Sequence, residues 1–278
     1  MDFEPEEEIA AMSIEECQQT LLGLALEFDR ICRKHGIPYY MLGGTMLGAV
    51  RHRGFIPWDD DMDFGVPRAW FDRLKAVLAE ELPRHARVHE LNSPAYHLSN
   101  FLKIDDGRTR LAYRGLEWIS GLGVNIDIFP LDDGLRTAAG TRRFVRYILF
   151  FLQWKDLLRI DPAIRKGAKK GVAEWVRLLL PVSAGRLLRH VERSIRRFAT
   201  PDSPFYVNYY GAWGLREMVA KRDFGQPKEY PFGEYRFYGV DDADAYLTRL
   251  YGDYMQLPPA DQQTHHASCA HVLAESCI

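Results

Sequence analysis

Four carboxylates stand within five positions of the chain, at Asp59, Asp60, Asp61 and Asp63. Like charges this close repel one another strongly unless a cation lies among them. Hard divalent cations such as Mg²⁺ bind oxygen ligands, commonly a few carboxylates together with the phosphates of a substrate. The cluster therefore predicts a Mg²⁺ site, with Mn²⁺ as the alternative cation.

A glycine turn precedes this cluster at Gly43, Gly44 and Thr45, at the start of a short predicted helix. Backbone N–H groups in the first turn of a helix have no partner within the helix and bind phosphate groups well. The turn therefore predicts a substrate phosphate site formed by these three residues. Together with the carboxylates, it indicates metal-dependent chemistry on a phosphate.

A third carboxylate ligand is expected from another strand. Asp61 and Asp63 are two positions apart, so in a strand they point to the same side. Asp127 lies between Ile126 and Ile128, where an unpaired charge is costly, so a bound cation or a basic partner explains it best. We predict Asp61, Asp63 and Asp127 as catalytic residues and metal ligands. The alternative is a solvated acidic loop whose carboxylates cap helices.

The surrounding sequence predicts the elements that hold these residues. Ser13 and Glu16 form a capping-box pattern before an amphipathic helix that ends near Gly36. Helices and strands mixed along the chain, with no internal repeat, predict an α/β or α+β core. The further helices are expected at 45–52, from Pro67 onward and at 241–251, and the strands at 39–42, 62–66, 97–104 and 123–129.

The composition is that of an ordinary folded protein, with 47% hydrophobic and 27% charged residues among 278. Four scattered cysteines are too few for a disulfide scaffold, so a reducing, cytoplasmic compartment is expected. The acidic start at Met1–Glu8 is unlike a secretory signal. The longest apolar run, near Tyr147–Leu152, is too short to cross a bilayer.

The stretch from Arg142 to Arg197 holds 15 Lys and Arg against 4 Asp and Glu, in a chain with a net charge of −2. Its arginines flank apolar and aromatic residues, which fits a peripheral contact of residues 142–197 with the inner face of an anionic membrane. The alternative is a helical region with a solvated basic face. No nucleic-acid partner is expected, because no recognised binding motif accompanies the charge.

Five motifs along the chain form a recognisable set. They are Gly43-Gly44-Thr45-x-Leu47-Gly48-x-x-Arg51, Ile56-Pro57-Trp58-Asp59-Asp60-Asp61-x-Asp63, Phe101-Leu102-Lys103-Ile104, Ile126-Asp127-Ile128-Phe129-Pro130-Leu131-Asp132 and Tyr251-Gly252-Asp253-Tyr254-Met255-x-Leu257-Pro258-Pro259. Together these motifs resemble the LicD family, which includes bacterial phosphocholine transferases and is similar to fukutin-type proteins in the nucleotidyltransferase superfamily. The resemblance runs from about residue 13 to residue 266 and is loosest across 135–200.

The resemblance implies a nucleotidyltransferase-like mixed-sheet core at 1–134, a basic helical insertion at 135–200 and an aromatic-rich part at 201–278 that completes the core. It implies transfer of phosphocholine, or a related alkyl phosphate, from a CDP-linked donor to a hydroxyl of a cell-surface glycan such as lipopolysaccharide, with release of CMP. A glycan carried on a lipid is one form of the expected acceptor. Asp127, or a separate base, would take the hydroxyl proton.

Further residues are candidates for substrate contact. Arg51 and Lys103 are placed to reach a donor phosphate, with a surface ion pair and a solvated strand-edge lysine as the alternatives. Trp58 and an aromatic cluster are candidates for a choline cage, against ordinary core packing. A histidine pair recurs in the family near His265 and His266, so one of the two is expected at the site. The aromatic cluster comprises Phe205, Tyr206, Tyr209, Tyr210 and Trp213.

Other functions stay as alternatives. A CDP-polyol donor would make the protein a ribitol- or glycerol-phosphate transferase. A nucleotidyltransferase would retain the nucleotide on its product and not release CMP. A non-catalytic glycan- or membrane-binding module is disfavoured, because such a module has little reason to keep costly clustered carboxylates.

Overall fold

The computed structural model describes residues 8–90, 101–112, 122–159, 183–259, 263 and 269–273. Helices and strands alternate along the chain, which confirms the predicted α/β or α+β class. The helices are α1 (Ile14–His35), α2 (Gly43–Arg51), α3 (Arg68–Glu81), α4 (Ala138–Arg159), α5 (Ala184–Phe198), α6 (Lys221–Phe224) and α7 (Ala243–Tyr251). The strands are β1 (Glu8–Ala11), β2 (Tyr40–Met41), β3 (Asp63–Pro67), β4 (Ala86–His89), β5 (Leu102–Asp106), β6 (Thr109–Ala112), β7 (Asn125–Asp133), β8 (Phe205–Val207), β9 (Met218–Ala220), β10 (Lys228–Phe232), β11 (Tyr235–Gly239) and β12 (Cys269–Leu273).

The first helix, α1, begins and ends with the capping residues that the sequence predicts. The Ser13 hydroxyl accepts the Glu16 N–H at 3.2 Å, and the Glu16 carboxylate accepts the Ser13 N–H at 2.7 Å. Gly36 ends α1 in the left-handed conformation at φ 61°, which glycine adopts without strain. The predicted capping box and C-cap are therefore confirmed.

Other boundaries move by a few residues. The helix expected from Thr45 begins at Gly43, and the strand expected at 123–129 runs from Asn125 to Asp133. The strand expected at 97–104 is seen from Leu102 to Asp106, and residues 97–100 lie outside the described residues.

The main sheet has the order β2-β3-β7-β5-β4. β3 and β7 are parallel, and the other neighbouring pairs are antiparallel. The end of β7 also pairs with β8, which pairs with β9. β10 and β11 form a hairpin, and β1, β12 and β6 form a third sheet.

The two faces of the main sheet differ in chemistry. Phe64, Ile104, Ile126 and Ile128 are fully buried on one face, against which α1 and α3 pack. Because side chains alternate along a strand, the residues between them point to the other face. There Asp63 on β3 is the register partner of Asp127 on β7, which in turn pairs with Lys103 on β5. The predicted site residues therefore lie side by side across three strands.

The described helices of the basic region, α4 and α5, pack against each other. Their shared apolar core includes Phe144, Ile148, Val191 and Ile195. Residues 160–182 lie outside the described residues, and the division of the chain at 134 and 200 stays a prediction. Among the residues that the structure describes, no helix is long and apolar enough to cross a membrane.

An ion-pair network ties α5 to the main sheet. Arg68 on α3 donates to both carboxylate oxygens of Asp132 on β7, at 2.7 and 2.8 Å. The same guanidinium donates to Glu192 on α5 at 3.1 Å, and Glu192 accepts a hydrogen bond from the Tyr210 hydroxyl at 3.0 Å. The helical region is thus connected to the sheet through buried charged groups.

Candidate active site

A cavity of about 500 Å³ lies at the start of α2, β3 and β7. Four aspartate side chains, those of Asp59, Asp61, Asp63 and Asp127, line it. The predicted catalytic residues are therefore brought together in one place. The other lining residues are Leu42, Gly43, Gly44, Leu47, Ile56, Trp58, Phe129, Asn208, Tyr210, Gly211, Ala212, Trp213, Glu217 and Tyr251.

Backbone and side-chain hydrogen bonds fix the carboxylate-bearing segments. The Asp63 N–H donates to the Thr45 hydroxyl at 2.7 Å, which joins α2 to β3. The Asp127 N–H donates to the Met62 carbonyl at 2.9 Å, which joins β7 to the residue between Asp61 and Asp63. A side chain of α1 holds the loop before β3, since the Gln18 amide donates to the Asp59 carbonyl at 2.9 Å.

The two glycines at the start of α2 leave space for carboxylates. A Cβ at Gly44 would lie 2.8 Å from Asp59 Oδ2, and a Cβ at Gly43 would lie 3.1 Å from Asp63 Oδ2. Gly43 also has φ 48°, a conformation that side chains with a Cβ rarely adopt. The carboxylates therefore approach the positive end of the α2 dipole, which favours negative charge there.

Burial in the cavity raises the pKa of three of these carboxyls, those of Asp59, Asp63 and Asp127. Burial, followed by the charge of Asp61, raises the pKa of Asp59 to about 8. Burial and then the charges of Asp61 and Asp127 hold the pKa of Asp63 well above its ordinary value. A cation among these groups would reverse these shifts, because it favours the ionised carboxylates.

Lys103 supplies a positive charge behind the cavity wall. Its ammonium donates to Asp127 and, at 2.9 Å, to the Asn125 side-chain oxygen. Burial raises the pKa of Asp127, and the charge and hydrogen bond of Lys103 lower it. Lys103 is only 8% exposed and does not line the cavity, so the alternative of a solvated strand-edge lysine is wrong. Its predicted contact with a phosphate stays a prediction.

The carboxylates fit a hard divalent cation in their chemistry, since they are oxygen donors buried together with raised pKa values. Within the described ranges, however, no group of three or more His, Cys, Asp or Glu side chains is arranged so that it could hold a metal ion. A cation here would therefore need oxygen ligands from a bound substrate to complete its coordination, as Mg²⁺ sites often do.

Two residues of the predicted phosphate turn have bonds within the protein. The Gly43 N–H donates to the Tyr246 hydroxyl at 3.0 Å, and the Thr45 side chain is buried with its hydroxyl bound to Asp63. Gly44 lines the cavity beside Asp59. Gly43 and Thr45 thus hold the site together, and contact of the turn with a phosphate stays a prediction.

The other predicted contact residues are Trp58, Arg51, His265 and His266, and the structure describes the first two of them. Trp58 lines the cavity. Arg51 does not line it, and its guanidinium donates to the Tyr254 carbonyl at 2.8 Å, which ties α2 to the segment after α7. His265 and His266 lie outside the described residues.

The predicted aromatic cluster is only partly at the site. Tyr210 and Trp213 line the cavity, whereas Phe205, Tyr206 and Tyr209 do not. Tyr209 is 2% exposed and packs edge-on against Phe144 of α4. These three residues therefore follow the alternative of ordinary core packing.

Sequence reasoning missed Glu217, Asn208 and Tyr251. Tyr251 stands at the start of the Tyr251-Gly252-Asp253 motif, so it carried a signal that was not used for the site. Glu217 and Asn208 lie in no recognised motif, and only the packing of the segment around 208–217 brings them to the cavity.

Two similarities to known proteins cover the segment that carries these aspartates. Residues 36–137, which include the four aspartates of the cavity, match the family described as LicD/FKTN/FKRP, nucleotidyltransferase domain. Lipopolysaccharide cholinephosphotransferase LicD of Haemophilus influenzae is 26% identical over 272 residues, which cover 94% of this chain and 99% of that protein.

Two further matches are shorter or weaker. Ribitol 5-phosphate transferase FKRP of Homo sapiens is 38% identical over 50 residues, 18% of this chain and 10% of that protein. The match to the solved structure of the antibiotic-resistance factor ANT(2'')-Ia covers 65% of this chain and 95% of that chain, at 15% identity. Its TM-score of 0.27 is too low to establish a common fold.

Proposed function

Because residues 36–137 form a domain of the LicD/FKTN/FKRP nucleotidyltransferase family, we propose that this protein transfers phosphocholine from a CDP-linked donor to a hydroxyl of a cell-surface glycan and releases CMP. The observation that carries the proposal is the convergence of Asp59, Asp61, Asp63 and Asp127 on one cavity at the start of α2. The similarity to a lipopolysaccharide cholinephosphotransferase along nearly the whole chain supports phosphocholine and a glycan acceptor.

The carboxylates suit a Mg²⁺-dependent reaction, with Mn²⁺ as a substitute. Asp61 and Asp63 would hold the cation, and oxygens of the donor diphosphate would complete its coordination. A bound divalent cation supplies neutralisation of the charge that develops on the leaving CMP.

Asp127 is also placed to act as the base. Its carboxylate lines the cavity. Burial raises the pKa of this carboxyl above its ordinary value, which makes the carboxylate a stronger proton acceptor, and the ammonium of Lys103 opposes this shift and favours the ionised form. In the transfer, the acceptor hydroxyl would give its proton to this carboxylate as its oxygen bonds to phosphorus and the bond to the CMP oxygen breaks.

Transfer of ribitol phosphate or glycerol phosphate is the second candidate, favoured by the similarity to FKRP. Nucleotidyl transfer is a third, and its product would keep the nucleotide. The identity of the product separates them.

The first experiment is incubation of the protein with CDP-choline and MgCl₂, with and without EDTA, followed by chromatography for CMP. Magnesium-dependent CMP release would support the proposal, with water taking the place of the acceptor hydroxyl in a slow hydrolysis of the donor. CMP release from CDP-ribitol or CDP-glycerol alone would favour the polyol phosphate reaction. Transfer of the nucleotide from a nucleoside triphosphate, with no CMP from any CDP-alcohol, would contradict the proposal.

A further inference from the structure

Glu217 is a buried carboxylate on the cavity wall, and the described side chains give it no counter-charge. It ends a short 3₁₀ turn, Gly214–Glu217, and is 6% exposed. Its side chain accepts one hydrogen bond, from the Trp213 N–H at 3.3 Å. In the part of the chain that the structure describes, Glu217 forms no ion pair. A buried carboxylate normally has a cationic partner, because removing its charge from water is costly.

The arginine next to Glu217 in the sequence bonds to a backbone carbonyl and lies 5.9 Å from the centre of the Trp213 ring. Arg216 precedes Glu217 in the sequence, but its guanidinium donates to the Leu250 carbonyl at 2.6 Å and does not line the cavity. Lys103, the buried lysine of the site, is bound to Asp127 and Asn125. The positive charge that Glu217 lacks is therefore not supplied by these side chains.

Aromatic rings line the same cavity as Glu217. Trp213 and Tyr251 meet edge to face with ring centres 4.8 Å apart, and the Tyr210 ring is oriented by the bond from its hydroxyl to Glu192. Aromatic faces attract cations through their quadrupole, and quaternary ammonium groups are bound in this way. Rings combined with a carboxylate fit an organic cation better than a metal ion or a neutral sugar.

We propose that Glu217, with the rings of Tyr210, Trp213 and Tyr251, forms a subsite for the quaternary ammonium group of the donor. The proposal rests on the proposed function, because the headgroup then occupies the same cavity as the diphosphate beside Asp61 and Asp63. Glu217 takes no part in bond making or breaking. Its role is to select a cationic headgroup over a neutral one of the same shape.

The test compares CDP-choline with CDP-3,3-dimethylbutanol, in which carbon replaces the charged nitrogen. In the wild-type protein, kcat/KM for CMP release is expected to be at least about tenfold higher for CDP-choline. Glu217→Gln keeps the shape and the acceptor for the Trp213 N–H but removes the charge, so this preference is expected to fall toward one. Trp213→Leu, at a 40% exposed position, is expected to lower the preference with little effect on folding.

Affinity for CMP is the control, since it reports on the nucleotide part of the site and is expected to stay unchanged in Glu217→Gln. Equal kcat/KM for the two donors in the wild-type protein would overturn the inference. A full preference that persists in Glu217→Gln would also overturn it. Both results would leave the proposed function intact if CDP-choline is still turned over.

Failure of the proposed function is distinguishable from failure of this inference. If no CDP-alcohol yields CMP, equilibrium binding of phosphocholine and 3,3-dimethylbutyl phosphate measures the subsite directly. Tighter binding of phosphocholine that is lost in Glu217→Gln would support the subsite. Equal binding of the two phosphates would reject it.

Discussion

At the scale of single residues, the carboxylates of the cavity differ in their electrostatic surroundings. Asp127 accepts a hydrogen bond from the ammonium of Lys103, and burial together with the charges of neighbouring carboxylates raises the pKa of Asp59 and Asp63. Burial and mutual repulsion therefore favour protonation of Asp59 and Asp63 until a cation arrives. The site is thus more complementary to a substrate that carries a divalent cation than to the free anion.

Asp61→Asn tests this charge requirement. The variant removes one negative charge from the cavity, so kcat for magnesium-dependent CMP release is expected to fall at least about 100-fold. Asp60→Asn is the matched control, because Asp60 is adjacent in sequence but does not line the cavity. Circular dichroism should show both variants folded. Wild-type turnover in Asp61→Asn would contradict the assignment.

A second residue-scale prediction concerns pH. Burial raises the pKa of Glu217 to about 7, so between pH 5 and pH 7 the folded protein holds a proton that the unfolded chain releases. The contribution of this group to stability is present at low pH and lost as pH rises through about 7. Glu217→Gln lacks this titration. Its free energy of unfolding, measured relative to that of the wild type, should therefore rise by up to about 3 kcal/mol between pH 5 and pH 8.

Urea denaturation of both proteins at pH 5, 6, 7 and 8, in EDTA, measures the difference. A difference between wild type and Glu217→Gln that does not change with pH would show that Glu217 keeps its ordinary pKa in the folded protein.

The sequence was sufficient for some site residues and insufficient for others. Asp61, Asp63 and Asp127 could be predicted, because strand periodicity and a charge between two isoleucines constrain them locally. The sequence did not reveal whether a bound cation or a basic side chain lies beside Asp127. The pairing of β5 with β7 determines this, because it places Lys103 next to Asp127. Glu217 could not be predicted, because its burial results from contacts between distant segments.

At the scale of elements, α2 is constrained by close approach on more than one side. Its first turn lies against carboxylates, and a Cβ at Gly48 would lie 2.5 Å from the Gly54 carbonyl oxygen. Boundary signals such as the capping box of α1 could be read from the sequence, because they act within one turn. The order of strands in the sheet could not, since it depends on pairing across long separations.

Gly48→Ala and Gly23→Ala form a matched pair of helix substitutions. The first is expected to lower the free energy of unfolding by about 1–3 kcal/mol, because backbone must move to admit the methyl group. The second is expected to raise it by about 0.5–1 kcal/mol, since Gly23 has nothing within 4 Å of the added Cβ and alanine favours a helix. Urea denaturation measures both, and equal effects would contradict the packing around Gly48.

The basic region gives a further element-scale prediction. On α4, Arg142, Arg146 and Phe150 are spaced by four residues and are exposed, with Phe150 59% exposed. We expect salt-sensitive flotation with anionic liposomes, weakened in Phe150→Ser. Met255→Ser, at a 57% exposed position in another segment, is the control. Absence of salt-sensitive binding would leave the solvated basic face and remove the membrane contact.

At the scale of the whole molecule, Arg68 connects parts that are distant in sequence. It binds Asp132 on the main sheet and Glu192 on α5, and Glu192 in turn holds Tyr210 at the cavity. The hydrogen bond between Tyr210 and Glu192 therefore joins the helical region directly to the wall of the active site. A change in the position of α5 would be transmitted to the cavity through Tyr210.

Arg68→Met should destabilise the whole protein. It leaves the Asp132 side chain, which is 1% exposed, without its cation, and breaking a buried pair in this way costs about 3–5 kcal/mol. Arg73→Met is the control on the same helix, because Arg73 is exposed, and it should change stability by less than about 1 kcal/mol. Thermal denaturation compares the two variants, and equal melting temperatures would contradict the role of Arg68.

The parallel pairing of β3 and β7 has a consequence for the order of folding. Asp63 and Asp127 are register partners although 64 positions separate them in the sequence. Contacts of such long range form late, because the intervening chain must be closed into a loop first. The repulsion between these carboxylates is therefore absent from the early folding chain and develops only when β7 joins the sheet. Cations that bind the site act after this step, so they slow unfolding more than they accelerate folding.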